Sequence, residues 1–418
     1  MPGVEKVLRM LGELLRAGHL TGIEQLPGLV TKQAAVADLE QVHIYVADLR
    51  QQVLRELTGQ GLDAGEGGQE LPIENTLAGR AFRDVRTIAA PGAGAGRQRY
   101  WVPILEGAER LGVLRADAAD GDADADADAD GDGGDDVRQA LEHLASMIGL
   151  QLISKNLSSD SYARLRRTEE MNVAAEMQWA LVPPRSFANG QVTISAVLEP
   201  AYRVGGDAFD YAMAGDTLHL AVFDAMGHNI AAGLTANLSI ATCRNQRRQG
   251  VDLASISDRI ERVLIEQFGP GRYITGVLAD LDLVTGRLSW VNRGHQPPVL
   301  IRGGRWVTTL NCLPAHPMGT DLDLPVTVCR EDLQPGDRIL LYTDGVTEAR
   351  DAYGREFGLS RFTEFIIRHQ ADGLSVPETL RRLMGAVLAY HGGQLQDDAT
   401  VVFCEWHNPI PDRENRVL

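Results

Sequence analysis

Four aspartates stand at the ends of short apolar runs in the second half of the chain, and 190 residues separate the first from the last. Asp224 closes LHLAVF and Asp344 closes ILLYT, whereas Asp207 opens AFDYAM and Asp397 sits two residues before ATVVF. In antiparallel sheets the end of one strand lies beside the start of its neighbour, so strand pairing can bring all four carboxylates to one edge. Carboxylates gathered in that way stay ionised together only beside a cation. Oxygen ligands with no His or Cys among them suit Mg²⁺ or Mn²⁺ over zinc. Gly205, Gly206, Gly227 and Gly345 lie beside them and permit tight turns and close backbone approach. A lone strand-end Asp is usually a turn or helix cap, so each motif alone is weak.

The surroundings of the four acids predict α+β layers. Beyond Pro184, strands are expected near 192–198, 208–213, 217–223, 274–282, 287–292, 298–302, 305–309, 338–343 and 399–405, and helices near 230–248, 252–268, 359–370 and 375–391. Upstream, Val42 to Tyr45 and Gln52 to Leu57 read as a strand pair, Asn75 to Arg83 as a helix, and Tyr100 to Leu105 with Arg110 to Leu114 as a second pair around Gly107. Two helical stretches follow, 137–157 with Leu141, Leu144, Ile148 and Leu152 on one stripe, and 162–182 with Met171, Ala174, Met177 and Leu181. Their stripes pack either on their own domains or on a second copy of the chain in a parallel two-helix contact.

Charge and cysteine content narrow the function classes. The chain has 418 residues, 40 Lys and Arg against 57 Asp and Glu, and a net charge of -17. Ten of the aspartates fall between Asp117 and Asp136, a low-complexity run expected to be a mobile, solvated loop. No basic stripe suggests nucleic acid or an anionic membrane as a partner. No stretch approaches 18 uninterrupted apolar residues, so a cytoplasmic protein is expected. Cys243, Cys312, Cys329 and Cys404 form no CxxC pair and read as free thiols.

The motifs AEMQWALVPP (175–184), PAYRVGGDAFD (200–210), FDAMGHNIAA (223–232), NRGHQPPVL (292–300), LYTDGVTEAR (341–350), FGLSR (357–361) and DDAT (397–400) occur in one order. Together they resemble the SpoIIE/RsbU-like branch of the metal-dependent protein phosphatases of the 2C type. The resemblance implies an α-β-β-α sandwich and a serine/threonine protein phosphatase that hydrolyses phosphoserine or phosphothreonine with a water activated by two Mn²⁺ or Mg²⁺ ions. It implies Asp224 as the bridging ligand, Asp344 and Asp397 as ligands of one metal, Asp207 on the opposite side, and the carbonyl of Ala225 where the family often has glycine. The family's glycine after His228 is Asn229 here, expected to keep the turn by tolerating left-handed angles. His228 and His295 read as proton donors, phosphate contacts or turn-stabilising groups, and Asp398 as a further metal ligand or a hydrogen bonder of the turn before the last strand.

LPIENTLAGRAF, RYWVPILEG and ERLGVLRAD resemble the GAF family, which implies a six-stranded antiparallel sheet with flanking helices, a small ligand of unknown identity, and dimerisation. The expected organisation is a GAF-like sensor domain over 1–150 containing the loop 117–136, a helical linker over 151–184, a phosphatase domain over 185–407 and a tail over 408–418. The phosphatase branch commonly acts on STAS-type anti-anti-sigma proteins, which makes a phosphoprotein of that class, within sigma factor regulation and signal transduction, the expected substrate. A homodimer through the GAF-like domain and linker helices is the expected assembly. A phosphoesterase for a small molecule and a non-catalytic sensor or scaffold are the alternatives.

Overall fold

The computed structural model describes residues 4–92, 94, 96–119, 132–203, 205–227, 229–313, 315–393, 395 and 397–407. They form two compact units, Met1–Glu169 and Glu170–Leu418. The first contains α1 (Val4–Gly18), α2 (Leu26–Ala34), β1 (Glu40–Ala47), β2 (Val53–Leu57), β3 (Glu70–Pro72), α3 (Leu77–Asp84), β4 (Ile88–Pro91), β5 (Arg97–Glu106), β6 (Glu109–Ala119), α4 (Asp132–Asn156) and α5 (Asp160–Leu165). Its strands make one antiparallel sheet in the order β3-β2-β1-β6-β5-β4. Leu141, Leu144, Ile148 and Leu152 of α4 lie in one apolar cluster with Ile44, Val102 and Leu114 of that sheet. Packing within the unit has therefore consumed the stripe that could have served a partner helix.

The second unit contains α6 (Val173–Leu181), β7 (Ser186–Ala188), β8 (Val192–Glu199), β9 (Asp207–Ala214), β10 (Thr217–Ala225), α7 (Ile230–Arg247), α8 (Leu253–Phe268), β11 (Ile274–Asp282), β12 (Arg287–Arg293), β13 (Val299–Arg302), β14 (Trp306–Thr309), β15 (Cys329–Asp332), β16 (Arg338–Tyr342), α9 (Asp344–Thr347), α10 (Gly358–Ala371), α11 (Val376–Tyr390) and β17 (Ala399–Trp406). Two antiparallel sheets result, ordered β15-β12-β11-β10-β9 and β14-β13-β16-β17-β8-β7. Side chains alternate faces along a strand, and the alternation assigns the layers. Leu218, Leu220 and Val222 of β10 share a core with Ile194 of β8, Leu341 of β16 and Val402 of β17. Their sequence neighbours point the other way: Ala221 and Phe223 pack with Ile240 and Ile260 of α7 and α8, while Val401 and Phe403 pack with Phe362, Leu383 and Val387 of α10 and α11. The unit is an α-β-β-α sandwich. Among the described residues no helix is long and apolar enough to cross a membrane.

Several expectations need correcting. Helix 162–182 is two helices, α5 and α6, separated after Arg166, and the boundary between the two units falls at Glu169 and Glu170, within the expected linker 151–184. The acidic loop cannot begin at Asp117, because that residue is an internal member of β6, paired across the ladder with Arg99 and bonded to its Nε and Nη2 at 2.8 and 2.9 Å. Residues 120–131 and 408–418, expected as loop and tail, lie outside the described residues. Cys312 and Cys329 are not free thiols. They form a disulfide across 17 residues, tying the exit of β14 to the start of β15. Those are edge strands of different sheets, so no local pattern announces their pairing. Cys243 and Cys404 are free and buried.

Candidate active site

β9 and β10 form a hairpin whose register places Asp207 directly opposite Asp224. The facing sheet supplies the rest: β16 leads through Thr343 into α9, which starts at Asp344, and Asp397 and Asp398 precede β17. The two sheets are joined here by hydrogen bonds. Thr343 is fully buried, and its hydroxyl donates to Asp207 Oδ2 at 2.6 Å while accepting the Thr400 amide at 2.9 Å. Asp398 Oδ2 accepts three backbone amides, from Gly205 at 2.7 Å, Gly206 at 2.7 Å and Asp207 at 3.2 Å. Asp398 thus holds the GGD turn before β9, not the turn before its own strand. Asp397 caps locally, its Oδ1 accepting the Asp398 amide at 2.9 Å.

Two glycines make this approach possible. A Cβ on Gly206 would lie 2.4 Å from the Ala225 carbonyl oxygen and 2.8 Å from that of Gly227. On Gly345 it would lie 2.0 Å from the Asp398 carbonyl oxygen. The backbones carrying the acids therefore touch, and no larger residue fits between them.

The carboxylates are electrically uncompensated. Among the described residues no Lys, Arg or His pairs with Asp207, Asp224, Asp344, Asp397 or Asp398, and charge repulsion within the group follows. Burial pushes Asp224 up to about 7, reinforced by Asp344, Asp397 and Asp398. Asp207 is held well above the usual carboxylate range by burial, then by Asp224 and Asp398, against the opposing Thr343 hydrogen bond. Burial likewise raises Asp344, with Asp397 and Glu348 adding to it. Asp398 is raised by burial despite its three amide donors. Among the described residues no three His, Cys, Asp or Glu side chains form a ready-made cation cage. The five acids share an edge and a field instead of a single point.

Asn229 keeps its turn by a different device from the one expected. Its φ is -114°, extended and not left-handed, and its side chain caps α7 by accepting the Ala231 and Ala232 amides at 3.0 and 3.1 Å. The left-handed residue is Gly227, with φ of 89°. His228 lies outside the described residues. His295 is buried between strands, its Nδ1 bonded to the Thr275 hydroxyl at 2.8 Å and its Nε2–H donating to the Tyr342 carbonyl at 3.0 Å. Burial lowers its pKa to about 4, so it is a neutral brace and not a proton donor near pH 7.

Sequence reasoning missed Thr343 as the donor to Asp207, although it adjoins Asp344 in LYTDG. It also missed His391 and Arg350, which line a cavity of about 290 Å³ together with Asp344, Glu348 and Asp397. No motif marks His391; only the fold brings the end of α11 there.

Residues 214–407 match the family model of Stage II sporulation protein E (SpoIIE). The phosphoserine phosphatase RsbU of Bacillus subtilis (strain 168) is 23% identical over 273 residues, covering 64% of this chain and 79% of RsbU. RsbP of the same organism, also a phosphoserine phosphatase, is 26% identical over 191 residues, or 44% of this chain and 47% of RsbP. A solved structure of the RsbU and RsbW domains of Rv1364c from Mycobacterium tuberculosis superimposes with a TM-score of 0.48 at 24% identity, over 55% of this chain and 64% of that one. The C-terminal unit carries a SpoIIE-family domain homologous to RsbU and RsbP.

Proposed function

We propose that this domain is a metal-dependent serine/threonine protein phosphatase. The observation that carries the reading is the gathering of Asp207, Asp224, Asp344 and Asp397 at one edge of the sandwich with no Lys, Arg or His of the described residues paired to them. An all-oxygen donor set under mutual repulsion fits a hard divalent cation, Mn²⁺ or Mg²⁺. Two such ions, when bound, supply a water of lowered pKa and neutralise charge on the phosphoryl oxygens. In this reading Asp224 would be the ligand shared by the two ions, Asp344 and Asp397 would hold one of them, and Asp207 with the Ala225 carbonyl would serve the other side. Thr343 fixes the Asp207 carboxylate and Asp398 fixes the turn that carries it, so both act through position.

The names of RsbU and RsbP support phosphoserine as the substrate, on a phosphoprotein such as a STAS-type anti-anti-sigma factor. The N-terminal sheet, in this proposal, is a GAF-like sensor for a small ligand that controls the phosphatase in a cytoplasmic, homodimeric protein. Manganese should support phosphate release from a phosphoserine protein in preference to small phosphate esters, and chelation should abolish it. Full turnover after exhaustive chelation, or rescue by zinc alone, contradicts the assignment. Removing residues 1–169 should change the rate; unchanged turnover and metal affinity would defeat the regulatory part alone.

A further inference from the structure

The cavity beside Asp344 and Asp397 is lined by His391, whose ring has one hydrogen-bond donor uncommitted among the described residues. The Arg350 amide donates to His391 Nδ1 at 2.9 Å. That nitrogen is therefore the acceptor, and the proton of the neutral ring sits on Nε2. His391 caps the end of α11, its own amide bonded to the Val387 carbonyl, so its backbone is held by the helix end and its ring through Nδ1. Nε2 itself has no partner among the described residues. Arg350, the cation of the same cavity, is already engaged: its guanidinium donates to Glu356 Oε1 at 2.5 Å and to the Gly354 carbonyl at 3.4 Å. Glu348 adds a carboxylate to the wall, which disfavours an incoming anion unless a donor opposes it.

We propose that His391 Nε2–H is a phosphoryl-binding group that donates a hydrogen bond to a terminal oxygen of the phosphate monoester. This rests on the phosphatase reading above and deepens it. A phosphate monoester presents three terminal oxygens; Asp344 and Asp397 would hold a cation that takes some of them, and His391, on the wall of the same cavity, offers a donor for another. The contact forms with any phosphate ester and with inorganic phosphate, because it addresses the phosphoryl group and not the peptide.

The test uses the full-length chain with manganese. H391N keeps an acceptor for the Arg350 amide but has nothing at the Nε2 position, whereas H391Q places an amide N–H near it. H391N should raise KM for p-nitrophenyl phosphate and the inhibition constant of inorganic phosphate about tenfold, the effect of losing one hydrogen bond to a charged group, with kcat changed by less than about threefold. H391Q should restore part of the loss. Unchanged KM and phosphate inhibition in H391N overturns the proposal, as does a loss confined to phosphoprotein with p-nitrophenyl phosphate unaffected, which would make His391 a peptide contact. If H391N fails to fold, H391Q and H391A decide: a lower KM for H391Q supports the contact and equal values refute it. A wild-type chain without manganese-dependent hydrolysis breaks the phosphatase reading itself, while an active wild type matched by H391N breaks only this inference.

Discussion

Asp207 and Asp210 lie three residues apart on one strand, are equally hidden at 2% and 1% exposure, and live in opposite electrical worlds. Side chains alternate along β9, so the two face different layers. Asp210 faces α7, where Arg244 reaches Oδ1 at 2.6 and 3.0 Å and Arg247 reaches Oδ2 at 2.8 Å. Asp207 faces the other sheet, where it meets the Thr343 hydroxyl, and it lies in the field of two further carboxylates, Asp224 across its own hairpin and Asp398. A buried acid with two guanidinium partners is part of the scaffold. A buried acid surrounded by other acids makes folding harder and is retained for what it can hold, which is why such groups mark functional sites.

The comparison breaks first at Asp210. Asp210→Ala leaves Arg244 and Arg247 without their carboxylate, and the expected cost is about 3–5 kcal/mol of stability, read from urea unfolding. A loss below about 1 kcal/mol would show that the pair is ornamental. Asp224→Asn should do the reverse: it removes the central charge, and turnover should fall at least about 100-fold, equal to about 2.7 kcal/mol of barrier, with the fold intact. Near-native turnover would remove Asp224 from the chemistry.

The smallest effect is in pH. With chelator present, the protonated Asp224 of the folded state, at about 7 against 3.8 unfolded, makes its contribution complete below about pH 4 and lost as pH rises through 7. His295 has the opposite sign: its folded value of about 4 lies below the ordinary 6.5, so its contribution is lost as pH falls from 6.5 to 4. Between pH 6.5 and 8 the unfolded imidazole is still losing its proton, so His295 offsets part of the decline due to the acids, and does so equally in wild type and in Asp224→Asn. Urea midpoints at pH 6.5 and 8 should therefore decline in wild type and decline less in Asp224→Asn; parallel declines would count against the charge argument.

The Asp207 side of this contrast is legible in the sequence; the Asp210 side is not. The apolar run expected as a strand over 274–282 is β11, and the four acids stand at the ends of such runs. What stayed hidden was what depends on pairing across distance. Asp210 lies inside a run of strand residues, and nothing nearby in sequence announces arginines 34 and 37 residues later. The clamp by Asp398 reaches back 193 residues to Gly205. The Cys312–Cys329 disulfide depends on two edges belonging to different sheets. Asn229 was misread for a local reason: its side chain found helix amides to cap, which removed any need for unusual backbone angles.

β17 runs through the interior of its sheet, between β16 and β8, although it is the last of the described strands in chain order. Until residues 399–406 arrive, β8 with β7 and β16 with β13 and β14 are two separate half-sheets, each exposing an unpaired edge. Asp397 and Asp398 come with the same segment, so the strand that closes the sheet also delivers the last acids. Contacts of such long sequence separation form late. On the proposed site assignment, a ribosome-bound chain would have no route to partial activity: a chain halted before β17 would lack both the strand that joins the half-sheets and the acids Asp397 and Asp398 that come with it.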